Sequence, residues 1–203
     1  GAGATHKRRF DLFCGEPLPM AYANDFRQFV DEGQPIWNLY GPTEATISFT
    51  CKPVDFEYDM SKTVPLGSPF GQNRIAVEHE DGTITDLTEG CEGELLLSGP
   101  QVFSGYLPAV NADCFTDTDP NYYRSGDLVR VTDGEVQHLG RTDSQIKLRG
   151  YRIELGDVEA AVRSAFAMNA LACVVVDEGE QGQIALAYVA ENDISDYSPL
   201  DAH

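Results

Sequence analysis

The segment Arg9–Cys14 is mostly apolar and closes on Gly15-Glu16-Pro17, which predicts a short buried strand followed by a turn. Pro19 suits the first turn of a helix, and Met20, Ala23, Phe26, Phe29 and Val30 follow it at helical spacing. Ile36–Tyr40 reads as a second strand. Strand, helix and strand within about thirty residues make a βαβ unit, hence a parallel sheet with ligands at the carboxyl ends of its strands. Gly15-Glu16-Pro17 and Gly41-Pro42-Thr43-Glu44 both fall at such ends.

From Thr46 to Leu139 the pattern shifts to short alternating runs between turn residues. Ile47–Cys51, Ile75–Glu78, Glu94–Ser98 and Val129–Val131 predict strands, with Asp81-Gly82 and Asp133-Gly134 as hairpin turns. After Gly140 come a strand at Gln145–Leu148, a turn at Gly150, a strand at Tyr151–Ile153 and a helix at Asp157–Phe166. Strands at Ala172–Val176 and Ile184–Ala190 follow. Val158, Ala161, Val162, Ala165 and Phe166 form the apolar stripe that lays this helix on a sheet. One helix and so few strands leave a sheet face poorly covered, as at the beginning of a small α+β domain.

Composition narrows the class. Fourteen Lys and Arg against 33 Asp and Glu give a net charge of −19 over 203 residues, which disfavours nucleic acid and anionic membrane as partners. The longest apolar runs, Ala170–Val176 and Ile184–Ala190, are seven residues each, far short of the roughly 20 a membrane-spanning helix needs. Gly1–His6 has no apolar signal core, and the five dispersed cysteines form no CxxC pair, so reduced thiols in a cytoplasmic protein are expected. Four of the 14 bases nevertheless crowd into Arg141–Arg152, whereas Asp177–His203 carries seven acids and no base.

Several residues have the chemistry of a nucleotide site. Tyr40, between a strand and Gly-Pro, presents a flat ring on which an adenine can stack, or is a core tyrosine beside a turn. Glu44 offers a hard oxygen to Mg²⁺, or caps a helix. Asp127, after Gly126, can accept from two ribose hydroxyls, or forms an Asx turn.

Four segments carry a resemblance that chooses among these readings. They are Asn38-Leu39-Tyr40-Gly41-Pro42-Thr43-Glu44-Ala45-Thr46; Gly93–Gly99 running to Gly105-Tyr106-Leu107; Tyr123-Arg124-Ser125-Gly126-Asp127-Leu128; and Gly140–Glu159. In this order they resemble the adenylate-forming superfamily, most closely the amino-acid adenylation domains of non-ribosomal peptide synthetases and their stand-alone relatives. The resemblance implies the α/β and β-rich end of the large adenylation domain in residues 1–142. The start of a small, mobile α+β subdomain follows in residues 143–203, with a hinge at Asp143.

It further implies roles for individual residues. Tyr40 and Gly15-Glu16-Pro17 would flank the adenine, with Asn38 near its exocyclic amine. Asp127 would hold the ribose and Arg141 the ribose or phosphate. Thr43 would approach phosphate, and Glu44 would ligate Mg²⁺ on the triphosphate. Where relatives carry an aromatic ring near the ribose, this chain has His138. Leu12, Cys14, Leu39, Ile47 and Ser48 would line an acyl pocket suited to a small or apolar side chain.

The implied substrates are ATP with Mg²⁺ and an amino acid, and the implied acceptor is a phosphopantetheinylated carrier protein. The relatives' phosphate loop lies upstream of the first βαβ unit and their catalytic lysine lies beyond His203, so the remainder of the adenylation enzyme is an expected partner of this chain, and the 203 residues alone are expected to be inactive. Phe13-Cys14-Gly15-Glu16 followed by Leu-Pro also resembles D-alanine–carrier-protein ligases. An acyl- or aryl-CoA synthetase of the same superfamily and a non-catalytic binding scaffold stand as alternatives.

Overall fold

A computed structural model describes residues 10–107, 114–148, 151–166, 170–176 and 183–189. The chain packs as two compact units, Gly1–Thr142 and Asp143–His203.

The first unit opens with β1 (Asp11–Cys14), α1 (Met20–Phe26) and β2 (Ile36–Tyr40). β1 and β2 pair in parallel, Asp11 opposite Ile36 and Cys14 opposite Leu39, as the βαβ pattern requires. α1 is shorter than its apolar spacing predicts. A tighter turn of helix, Arg27–Phe29, replaces its end, and Phe29 is left 67% exposed while Phe26 packs edge-on against Phe13. Met20 and Ala23 are the α1 residues buried against Leu18 and Val64.

β3 (Thr50–Pro53) adds to β2 antiparallel, and β4 (Ser68–Pro69) completes this sheet in the order β1-β2-β3-β4. The strand expected from Ile47 to Cys51 therefore begins three residues late. Thr43–Ala45 instead form a 3₁₀ turn, and Thr46 and Ile47 take φ of 60° and 66°, which no strand residue adopts. Alternation and β-branching at Ile47 imitate a strand that the backbone does not make.

A second sheet follows: β5 (Arg74–Glu78), β6 (Ile84–Thr85), β7 (Glu92–Ser98), β8 (Tyr123–Thr132) and β9 (Glu135–Arg141), all antiparallel, in the order β6-β5-β7-β8-β9. Both expected hairpin turns are present. At Asp133-Gly134 the two φ values are 56° and 73°, the doubly left-handed form that suits strand twist. The Glu89 carboxylate accepts from both of its amides. The run Leu95-Leu96-Leu97 is fully buried, so β7 is the covered centre of the sheet. Leu95, Leu97, Tyr123, Val129, Val131 and Val136 share one core with Ala45, Phe49 and Leu66, which joins the two sheets.

The second unit contains the antiparallel pair β10 (Gln145–Leu148) and β11 (Tyr151–Glu154), then α2 (Leu155–Phe166). The antiparallel pair β12 (Ala170–Val176) and β13 (Gln183–Val189) completes it. The turn expected at Gly150, and Arg149 in the basic segment, lie outside the described residues, as do Arg9 and Ala190. α2 begins two residues earlier than its stripe predicts; Val162 is buried, and Glu159 accepts from the Cys173 amide of β12 at 2.9 Å.

Candidate active site

The site is assembled where β8 departs from regular pairing. Glu94 pairs with Leu128 and Leu96 with Arg124, so Leu95 alone faces Ser125, Gly126 and Asp127. Gly126 supplies φ of 75° for this bulge, and hydrogen bonds brace it on both sides. Ser125 Oγ donates to the Leu95 carbonyl at 2.6 Å and the Asp127 amide donates to Ser125 Oγ at 3.1 Å. The Gly126 amide donates to Glu94 at 2.8 Å, and its carbonyl accepts from the Thr142 amide at 2.8 Å.

β9 makes the complementary correction. His138 and Arg141 are three apart, a spacing that in a regular strand sends side chains to opposite faces. Leu139 is an extra residue between the Val129–His138 and Leu128–Gly140 pairs, so Arg141, opposite Asp127, returns to the face of His138. Asp127, 7% exposed, gathers three donors. Tyr40 Oη donates to Oδ2 at 2.6 Å, Arg141 Nη1 donates to Oδ1 at 2.9 Å, and His138 Nε2 lies 3.2 Å from Oδ1. Burial works against the Asp127 charge, but the His138 and Tyr40 hydrogen bonds and the Arg141 cation outweigh it and hold the carboxyl below the ordinary aspartate range. Burial, with the adjacent Asp127 charge and hydrogen bond, pushes the Tyr40 phenol well above its usual value.

Glu44 ends in a different setting from a solvated capping acid. It is 8% exposed, and Tyr106 Oη donates to its Oε1 at 2.6 Å. Burial and this bond raise the Tyr106 phenol strongly. Among the described residues no three His, Cys, Asp or Glu side chains cluster as a metal cage. A buried carboxylate fits Mg²⁺, which keeps its waters and binds through one or two carboxylates together with phosphate oxygens. Thr43 is exposed beside it.

The remaining predicted residues divide. Gly15, Glu16 and Pro17 are exposed at the end of β1. Asn38 is 3% exposed and its Nδ2 donates to the Val64 and Pro65 carbonyls at 3.4 and 3.1 Å, so only its oxygen is available to an amine. Leu12, Cys14 and Leu39 share one sheet face through the pairs Leu12–Trp37 and Cys14–Leu39, and the Cys14 thiol reaches the Ile47 carbonyl at 3.6 Å. Trp37 belongs to that face and was not among the sequence candidates, although its place two residues before Leu39 marks it. A recess of about 650 Å³ lined by Gly71, Asn73, Ser98 and Gly99 contains none of these residues.

A sequence profile of the AMP-binding enzyme family matches residues 4–107. The chain belongs to that family. It is 36% identical over 188 residues to a D-alanine--D-alanyl carrier protein ligase of Bacillus cytotoxicus, covering 91% of this chain and 37% of that protein. It is also 36% identical over 206 residues to surfactin synthase subunit 1 of Bacillus subtilis, covering 95% of this chain and 6% of the synthase. This AMP-binding chain thus spans a little over a third of the length of the ligases it matches.

Among solved structures, the Vibrio cholerae adenylation domain AlmE, in complex with glycyl-adenosine-5'-phosphate, superposes with a TM-score of 0.77 at 36% identity, over 85% of this chain and 33% of AlmE. An artificially fused adenylation-PCP di-domain from Klebsiella oxytoca shares the fold with a TM-score of 0.74 at 23% identity, over 97% of this chain and 37% of the fusion. The mixed, strand-rich architecture is the adenylation-domain fold. Among the described residues no helix is long and apolar enough to cross a membrane.

Proposed function

We propose that this chain is a portion of an ATP-dependent, AMP-forming ligase that activates an amino acid as its adenylate and then transfers it to the phosphopantetheine thiol of a carrier protein. The observation that carries this reading is Asp127: a buried carboxylate set beside a bulge, ionised by Arg141 and His138 and capped by Tyr40. Two vicinal ribose hydroxyls can donate to such a carboxylate while Tyr40 offers its ring to the base. Arg141 supplies positive charge where phosphate charge develops, and Thr43 offers a hydroxyl donor. Mg²⁺, when bound, neutralises triphosphate oxygens; Glu44, oriented by Tyr106, is the residue that would hold it.

The ligase relatives favour an amino acid and a carrier protein over a CoA-dependent reaction, and the ensemble of Tyr40, Glu44, Asp127 and Arg141 favours a catalyst over a scaffold. Phe10, Leu12 and Ile47 are 65, 58 and 57% exposed, apolar surface of the kind that further chain covers. Five dispersed cysteines with no CxxC pair, together with use of ATP, support a cytoplasmic setting in this reading.

The test is amino-acid-dependent exchange of labelled pyrophosphate into ATP by the longer protein that contains this sequence, screened over amino and aryl acids. Exchange with an amino acid is expected, and the 203 residues alone should give none. Exchange driven by an aryl acid alone, with CoA as acceptor, would replace this reading by the synthetase one.

A further inference from the structure

Among the described residues, three that are not glycine have positive φ, and two of them, Thr46 and Ile47, are adjacent. Ile47 is also β-branched, the type least suited to this conformation. The Ser48 amide donates back to the Thr46 carbonyl at 2.7 Å, so Ile47 is the centre of a γ-turn of positive φ, the rarer and more strained form. Fully buried Ala45 and Phe49 anchor the turn on either side, while the Ile47 side chain stands out at 57% exposure. A backbone of this kind persists only where its surroundings over-determine it.

Those surroundings include the Pro42 carbonyl, which accepts from the Ile47 amide at 3.0 Å, the Cys14 thiol at the Ile47 carbonyl, and Gln101, more than fifty positions downstream. The Thr46 hydroxyl donates to the Gln101 carbonyl at 2.8 Å, and Gln101 Nε2 donates to the Ser48 carbonyl at 3.0 Å. The turn is thus gripped on both sides of Ile47. Gln101 is itself oriented by Asn73, whose Nδ2 donates to Gln101 Oε1. Asn73 is 6% exposed, and its own Oδ1 is buried without a partner. A buried amide that satisfies only its donor end has been sited for Gln101 rather than for its own hydrogen bonds. Nearby, the Phe103 amide donates to the Glu44 carbonyl at 2.8 Å, so the same segment also seats the 3₁₀ turn.

We propose that Gln101 is a positioning residue for substrate selection: it holds the γ-turn in the form that presents Ile47 and Ser48 to the acyl group. The proposal rests on the functional reading above, in which these two residues form the pocket wall. The hydrogen bonds described for Gln101 go to Thr46, Ser48 and Asn73, none of them a residue assigned to the nucleotide, so its loss should disturb the amino acid and spare ATP.

The experiment is pyrophosphate exchange by the longer protein with each proteinogenic amino acid and with D-alanine, comparing wild type with Gln101→Glu, Gln101→Ala, Thr46→Val and Thr46→Ser. Gln101→Glu keeps the shape and the Asn73 contact but removes the donor to Ser48. It should raise the amino-acid KM about tenfold and narrow the preference between the best amino acid and its neighbours, with the ATP KM unchanged. Thr46→Val should act in the same direction and Thr46→Ser should restore wild-type values. Thermal midpoints of the same variants separate folding from selection. Exchange by wild type with unchanged amino-acid KM and preference in Gln101→Glu and Gln101→Ala overturns the proposal alone. Equal rises in both KM values also overturn it, in favour of a purely structural role. Absence of exchange by wild type with every amino acid overturns the functional reading, and this inference with it.

Discussion

Asp127 combines burial with a lowered pKa because its donors are already in place. Its folded pKa lies below the unfolded value, so its contribution to stability is complete above about pH 4 and is lost as pH falls from there through the folded value. Asp127→Asn should cost about 1–3 kcal/mol near neutrality, because Arg141 loses its counter-charge. The loss of stability between pH 5 and pH 3 should also be smaller in this variant, as read from urea midpoints; an identical acid limb in both proteins would remove Asp127 from the account. Ile47 offers the opposite test. Glycine tolerates its φ of 66°, so Ile47→Gly should leave the protein as stable or about 1 kcal/mol more stable by thermal unfolding. A clear drop in midpoint would mean that the exposed side chain contributes more than its backbone strain costs.

At the scale of elements, two irregularities build the site: the Ser125–Asp127 bulge in β8 and the extra Leu139 in β9. The second yields a prediction in phase. Deleting Leu139 leaves His138 and Arg141 two apart, still on one face, so the ATP KM should change by no more than about threefold. Inserting one alanine between Gly140 and Arg141 should turn Arg141 away from Asp127 and raise that KM by roughly tenfold or more, as expected for a lost hydrogen bond between charged groups. Equal effects of the two changes would show that the ladder re-registers freely. Much of this architecture was legible in the chain. The βαβ pattern, both hairpin turns and the apolar β7 run express their periodicity locally, and Tyr40, Asp127 and Arg141 stand in recognisable motifs. The γ-turn was not legible, because Ile47 has strand propensity and its conformation depends on Gln101, distant in sequence, and on the buried packing of Ala45 and Phe49 beside it. The end of α1 departs from its pattern for a related reason: Phe29 keeps helical spacing but stays 67% exposed, its ring meeting that of Phe26 rather than the core.

For the whole molecule, the two units meet in sequence between Thr142 and Asp143. Thr142 is tied back to Gly126 by its amide, while Asp143 Oδ1 accepts from the Gln145 amide at 3.1 Å, so adjacent residues are committed to different units. In the proposed reaction this junction would serve as the hinge, and Asp143→Pro should then lower carrier thioesterification about tenfold more than pyrophosphate exchange. Parallel loss of both activities would place the pivot elsewhere.

The way the Ile47 turn is held bears on how such a protein can diversify. Its grip runs through main-chain carbonyls and the Thr46 hydroxyl, none of which belongs to the Ile47 side chain. This exposed side chain is therefore free to change in descent without disturbing the loop that displays it. If Ile47 lines the proposed pocket, new preferences would arise by single replacements at this position, while insertions or deletions nearby would break the grip.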